Sequence, residues 1–377
     1  MRLSELKTGQ SATILNVLGH GGFRRRIMEM GFVRGKRVDV LQNAPLRDPI
    51  KYRIMDYEVS LRRSEAAMIV VITAEEVQQQ LSVAGETLSA PDDADFEEAI
   101  STRSRTINVA LIGNPNSGKT SLFNAISGGH EHVGNYSGVT VDAKRGEYRY
   151  GGYRFVITDL PGTYALSAYT PEELYVRRDL VNDTPDVVVN AVVASNLERN
   201  LYLTTELIDI DPKMVVALNM YDELEASGAV LDYEHLGAML GVPMVPVVAK
   251  TGRGLETLLD TVIAVYENRD PRVRHIHINN GSVVEQALRP LYERLRSDRD
   301  ELPKHFPPRY FAMKLLERDK EVEAQLADCP HFAEWIALRD RAVPQVEEEL
   351  GEDVETALAN QKYGFISGAL KETFTPG

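Results

Sequence analysis

Gly113, Asn114, Pro115, Asn116, Ser117, Gly118, Lys119 and Thr120 run consecutively in the pattern G-x-x-x-x-G-K-[ST], in which a curled backbone cradles phosphate oxygens. Glycines at both ends let successive N–H groups turn towards one anion. Lys119 supplies a cation for β and γ phosphates, and the Thr120 hydroxyl is a ligand for Mg²⁺. Ser121 extends the set into the first turn of a helix, whose amino terminus adds partial positive charge. The apolar run 107–112 precedes the loop and the periodic Leu122, Phe123 and Ile126 follow it. That strand–loop–helix setting separates the motif from a chance match.

Four further clusters fit the same chemistry. Asp159-Leu-Pro-Gly162 closes the apolar run 155–158; the Asp159 carboxylate can hold the Mg²⁺ shell directly or through water, and the Gly162 N–H can meet a γ-phosphate. Asn219-Met220-Tyr-Asp222 closes the run 214–218. A carboxylate at Asp222 can accept both N–H groups on one edge of guanine, and adenine offers no such pair. Discrimination on this principle reaches about 10⁴–10⁵. Met220 stands where many nucleotide-binding loops of this kind carry lysine, which leaves the hydrogen-bonding end of the motif intact. Val248-Ala249-Lys250 ends the next apolar run and resembles the loop whose alanine N–H meets guanine O6, with Val248 in place of the usual serine. Between the first two motifs, Gly138, Val139 and Thr140 close a glycine-containing loop from Val133. Thr140 is placed to complete Mg²⁺ coordination in a triphosphate state, against the plainer reading of an ordinary loop threonine. Lys119, Thr140 and Gly162 are the expected catalytic set.

Apolar runs of about six residues at 107–112, 153–158, 187–193, 214–219 and 244–248 alternate with helical stretches, the signature of βα units and a mostly parallel sheet. Gly151-Gly152 reads as a hairpin turn. Residues 10–18, 36–42, 51–61 and 67–73 read as strands of a small barrel or sheet, with a short helix from Phe23 to Met30 ended by Gly31. Residues 76–104 are polar and then acidic and read as a linker. Beyond Pro271 the apolar spacing is helical only, and 283–374 reads as a helical bundle. The expected domains are 1–75, 105–270 and 271–377.

The chain has 377 residues, 43% apolar and 26% charged, ordinary for a globular protein. A single cysteine, Cys329, excludes an intrachain disulfide and a multi-cysteine zinc site. No run of about 18 apolar residues is present to cross a bilayer as a helix. The net charge of −14 argues against a general nucleic-acid surface. Residues 1–75 carry 13 Lys and Arg against 8 Asp and Glu, a net of +5, so the rest carries −19. Two readings stay open: chance variation between domains, or docking of the basic part on an acidic surface. His130 and His132 have no third metal ligand at a suitable spacing, Arg24–Arg26 read as a solvated or docking face, and Trp335 and Cys329 as packing.

Gly113–Thr120, Gly138-Val-Thr-Val141, Asp159-Leu-Pro-Gly-Thr-Tyr164 and Ser195-Asn-Leu-Glu-Arg-Asn-Leu-Tyr202 together resemble the cytosolic GTPase part of bacterial ferrous iron transport protein B, over about 107–270. By position, the helical tail is similar to that family's dissociation-inhibitor-like domain. Gly21-Gly22-Phe-Arg-Arg-Arg26 and Glu29-Met-Gly-Phe32 resemble ferrous iron transport protein A, an SH3-like barrel. The resemblance implies an α/β P-loop GTPase domain between a small SH3-like β-barrel and an α-helical domain. It implies GTP and GDP as ligands, Mg²⁺ as cofactor, and a membrane-spanning transport domain after the helical one, as partner. This chain then reads as a soluble part of a transporter at the cytoplasmic side of the inner membrane, with the first domain docking on the GTPase or helical domain. Thr163 follows Gly162 where many switch GTPases carry a water-orienting glutamine, so slow turnover is expected. Asn116 either shapes its turn or, as in related cation-activated GTPases, helps to bind K⁺. The alternatives are a nucleotide-controlled interaction module with incidental hydrolysis, and a ribosome- or RNA-associated GTPase.

Overall fold

The computed structural model describes residues 1–18, 26–43, 48–55, 57–77, 105–128, 131–132, 143–167, 169–182, 184–303 and 306–377. Most of the expected linker, Gly21–Arg25, His130, and Gly138, Val139 and Thr140 lie outside them. The chain forms two compact units, one over residues 1–106 and one over 107–302 and 306–377.

The first unit is a five-stranded antiparallel sheet in the order β4-β3-β2-β1-β5, from β1 (Ser11–Val17), β2 (Arg37–Asn43), β3 (Ile50–Ile54), β4 (Tyr57–Leu61) and β5 (Ile69–Ile72). Along β3 the buried Ile50, Tyr52 and Ile54 alternate with exposed Lys51 and Arg53, as a half-buried strand requires. The run 51–61 is two strands, not one. Met55 takes a left-handed φ of 49° between them, and cross-strand pairs such as Lys51–Glu58 (2.6 Å) lock the hairpin. Of the expected helix 23–30, residues 26–29 are helical within the described part; Gly31 follows at φ 92°.

The second unit is built on a seven-stranded sheet in the order β13-β11-β10-β6-β9-β8-β7. Its strands are β6 (Thr106–Gly113), β7 (Glu131–His132), β8 (Lys144–Tyr150), β9 (Tyr153–Asp159), β10 (Val187–Val193), β11 (Met214–Asn219) and β13 (Met244–Pro246); β12 (Val230–Leu231) lies outside it. β6, β10, β11 and β13 are mutually parallel. Antiparallel β8 and β9 meet through Gly151 and Gly152, both at positive φ (57° and 80°), the conformation a tight hairpin needs. Val-Val-Val-Asn-Ala-Val-Val of β10 is buried almost throughout, because helices cover both faces of the sheet. One face packs against α1 (Lys119–Ser127) and α6 (Leu255–Tyr266). The other packs against α3 (Leu197–Ile210) and α5 (Tyr233–Leu240). The sequence also forms α2 (Pro171–Asn182) and α4 (Tyr221–Ala226).

Helices α7 (Ser282–Ser297), α8 (Pro308–Leu316), α9 (Lys320–Leu326), α10 (Phe332–Leu350) and α11 (Val354–Thr373) follow. Asp319 and Asp353 cap α9 and α11, accepting from Val322 N (3.0 Å) and Thr356 N (2.9 Å), bonds that satisfy orphan first-turn donors. These helices share one continuous apolar core with the α3 face of the sheet, and Trp335 is fully buried in it. A two-residue strand, β14 (Phe374–Thr375), pairs with β12. The helical spacing of the tail gave no sign of it, since its partner lies more than a hundred residues away. Among the described residues no helix is long and apolar enough to cross a membrane.

Candidate nucleotide site

The parallel strands deliver their carboxyl ends to one edge of the sheet, where ligands of open α/β sheets bind. β6 ends at Gly113 and α1 begins at Lys119. The turn between them needs left-handed backbone at Gly118 (φ 74°) and at Asn116 (φ 64°). Glycine at 118 is also a steric requirement: a Cβ there would collide with the Asn219 amide nitrogen and lie 3.1 Å from Met220 Cε. Asn116, Thr120 and Ser121 are exposed. Asn114 and Ser117 are buried, and the Ser117 hydroxyl has no hydrogen-bond partner among the described residues.

Asp159, at the end of β9, joins the loop to the second motif. Its carboxylate pairs with the buried Lys119 ammonium and accepts from the Thr120 hydroxyl at 3.1 Å. Three residues on, Gly162 lies against Pro115; a Cβ there would stand 3.0 Å from Pro115 Cα. Thr163 donates its N–H to Gly113 O (3.1 Å) and its hydroxyl to Ala165 O (2.6 Å). That hydroxyl is therefore committed to the backbone.

Asn219 ties in the base-side loops. Its buried side chain donates to Ser117 O (3.0 Å) and accepts from Ala249 N (3.2 Å), so one amide spans the phosphate loop and the loop after β13. Met220 turns the chain at φ 55°, and the exposed Asp222 falls in the first turn of α4. Val248 is buried and bridges to Arg253, whereas Lys250 is exposed.

The residues present fit a nucleotide with Mg²⁺. The Thr120 hydroxyl and Asp159 carboxylate are hard oxygen donors held side by side, the set this cation takes, and the Lys119 ammonium beside them is a cation suited to phosphate.

A model of ferrous iron transport protein B matches residues 107–262, a FeoA domain residues 1–73, and the FeoB cytosolic helical domain residues 281–375. A Porphyromonas gingivalis Fe(2+) transport protein A/Fe(2+) transporter FeoB fusion protein is 49% identical over 99% of this chain and 47% of its own length. The solved structure of an S. thermophilus NFeoB mutant bound to GDP is 35% identical, with a TM-score of 0.63 over 71% of this chain and 100% of that one.

The chain belongs to the FeoB family.

A Staphylococcus aureus Fe(2+) transporter FeoB is 35% identical over 64% of this chain and 35% of its own length, so the chain spans less than half of these curated relatives. The T. maritima FeoB cytosolic domain in its GMPPNP form is 32% identical, with a TM-score of 0.60 over 71% of this chain and 99% of that one. The FeoB G domain and cytosolic helical domain are thus both present, behind a FeoA domain.

Some contacts of this FeoB-family site carried no local sequence signal, although Arg199 and Tyr164 fall within the Ser195–Tyr202 and Asp159–Tyr164 blocks. Arg199 lies over the Tyr164 ring at 4.3 Å while its carbonyl accepts from Asn114 Nδ2 at 3.4 Å. This links α3 to both phosphate-side motifs. Behind them, Arg177 on α2 makes a two-pronged pair with Asp319 (2.7 and 3.1 Å), joining the G domain to the helical domain.

Proposed function

We propose that this chain binds GTP and GDP through the G domain and hydrolyses GTP slowly, as the regulatory part of an Fe²⁺ transporter acting from the cytoplasmic face of its membrane domain. The observation that carries the reading is the convergence of Lys119, Thr120 and Asp159 beside a glycine turn that Asn219 anchors to the base-side loop. The GDP- and GMPPNP-bound relatives support it.

In this reading Gly113–Ser121 wraps the phosphates. Lys119 leaves Asp159 for the β and γ oxygens, a trade of one anionic partner for another. Thr120 and Asp159, joined by Thr140, would hold Mg²⁺, whose charge offsets that developing on the phosphates. The Gly162 N–H, with Gly138 and Val139 across the loop, would confine the γ-phosphate. Asp222 reads the guanine edge, with Met220 and the Val248–Lys250 loop flanking the base. With Thr163 tied to Ala165, no side chain there orients water, which favours slow turnover. Asn116 stands at the tip of the loop as the candidate K⁺ ligand.

Asp222→Asn tests the base assignment. One carboxylate meeting two donors is worth about 3 kcal/mol, so GDP affinity should fall about a hundredfold while xanthosine diphosphate, whose C2 oxygen suits the amide, should gain. Calorimetry with both nucleotides reads the switch; unchanged GDP affinity would remove Asp222 from the site.

A further inference from the structure

Residues 273–280 lead into α7 without helix or strand. Alternate residues of extended chain share a face; here Ile276 packs against the core, while His275 and His277 are exposed. The two imidazole Nε2 atoms stand 3.2 Å apart, with the rings perpendicular and their centroids 4.5 Å apart. His275 Nδ1 lies 2.9 Å from a carboxylate oxygen of Asp211, the residue that ends α3. A carboxylate at Nδ1 makes that nitrogen the N–H donor and leaves Nε2 with its lone pair.

That arrangement is a carboxylate–histidine pair of the kind that orients metal ligands. Nitrogens bound at about 2.0–2.1 Å to a tetrahedral cation are separated by about 3.3–3.4 Å, close to the observed spacing.

We propose that His275 and His277 form a two-nitrogen site for a first-row divalent transition cation, with Asp211 positioning His275 and water completing the coordination. Borderline imidazole donors select Zn²⁺, Co²⁺, Ni²⁺ or Fe²⁺ over Mg²⁺. A bound cation would fasten the segment between G and helical domains beside the end of α3.

A second cluster serves as the comparator. Ligand atoms of Asp298, Glu301 and His331 lie within 4.8 Å of one another. However, His331 is engaged by Glu301 at 2.5 Å, and Asp298 accepts from Trp335 Nε1 at 2.8 Å and pairs with Arg294 at 3.0 Å. These bonds satisfy the cluster without a cation.

The test is Co²⁺ titration of the full chain by visible absorption without nucleotide, followed by competition with Zn²⁺ and, anaerobically, Fe²⁺. His275→Ala and His277→Ala should each weaken Co²⁺ binding at least tenfold, and Asp211→Asn about tenfold, as when the carboxylate that orients a ligating histidine is lost. His331→Ala should leave it unchanged. GDP affinity, unaltered throughout, confirms that the variants fold. Undiminished Co²⁺ affinity in the double histidine variant, or its loss in His331→Ala instead, would overturn the proposal and leave the 3.2 Å contact as a hydrogen bond between rings.

Discussion

At the scale of the residue, the phosphate loop raises the question of which positive charge assists hydrolysis. Lys119 serves the ground state as well as the transition state, and Thr163 is occupied with Ala165 O. Asn116 is exposed at φ 64°, a conformation asparagine tolerates better than most residues, so turn-shaping already accounts for its type. A K⁺ held partly by its amide would add a charge close to the β–γ bridge, where electrostatic stabilisation acts strongly. An arginine finger is worth about 10³-fold or more, and a monovalent ion on an exposed loop should give less. GTP turnover is therefore expected to rise about tenfold when K⁺ replaces Na⁺ at equal ionic strength, and Asn116→Ala should erase most of the rise while GDP still binds. Phosphate-release rates in the two salts decide it; equal rates leave Asn116 with its turn alone.

At the scale of the element, α3 meets α8 and α11 through buried charges. Glu206 pairs with Lys362, which also meets Asp209 at 2.8 Å; Lys314 lies 3.6 Å from Glu206 and 2.6 Å from Glu317. Burial pushes the Glu206 carboxyl up, but the Lys314 and Lys362 charges outweigh it and hold the pKa down to about 2. Burial dominates at Glu317, which is raised. The two carboxyls therefore act oppositely on the pH dependence. A lowered folded pKa gives Glu206 a stabilising contribution that is complete above its ordinary value of 4.5 and is lost as the pH falls towards 2. Ionising Glu317, by contrast, detracts from stability as the pH rises. Glu206→Gln leaves two buried ammonium groups undercompensated and is expected to cost about 3 kcal/mol at pH 7. The gap from the parent should narrow below about pH 4 as the parent loses the same contribution. Urea unfolding at pH 7 and at acid pH checks both; a gap independent of pH would mean that the loss is packing.

At the scale of the whole molecule, the two units differ in how their cores are closed. The first has its own, from Leu3, Ile14, Val38, Tyr52 and Val71, all nearly fully buried. Residues 1–75 are therefore expected to melt cooperatively when expressed alone and to bind no GDP; calorimetry checks the first and fluorescent-nucleotide titration the second. A broad, non-cooperative melt would mean that the core needs residues beyond 75. The helical domain, by contrast, packs into the same cluster as the sheet's α3 face, so G and helical domains form one unit.

The nucleotide motifs were legible because each is continuous in sequence and its residue types answer local demands. A loop that must curl needs glycine where φ is positive, and a cation at its end needs the first turn of a helix. The strand runs were legible for a similar reason, since a sheet covered on both faces leaves little room for polar residues. Where periodicity ran on without a break, as over 51–61, the hairpin was hidden, because Met55 is not a turn-forming type. The sequence placed Asn219 with the base motif; its bridge from Ser117 O to Ala249 N exists only once three loops meet. The same holds for Lys119 resting on Asp159, for Arg177 reaching Asp319, and for the charges at 206, 314, 317 and 362, whose spacing follows no period. A buried charge is tolerable only beside its partner, and that partner is chosen by how α3, α8 and α11 pack, which no local pattern encodes.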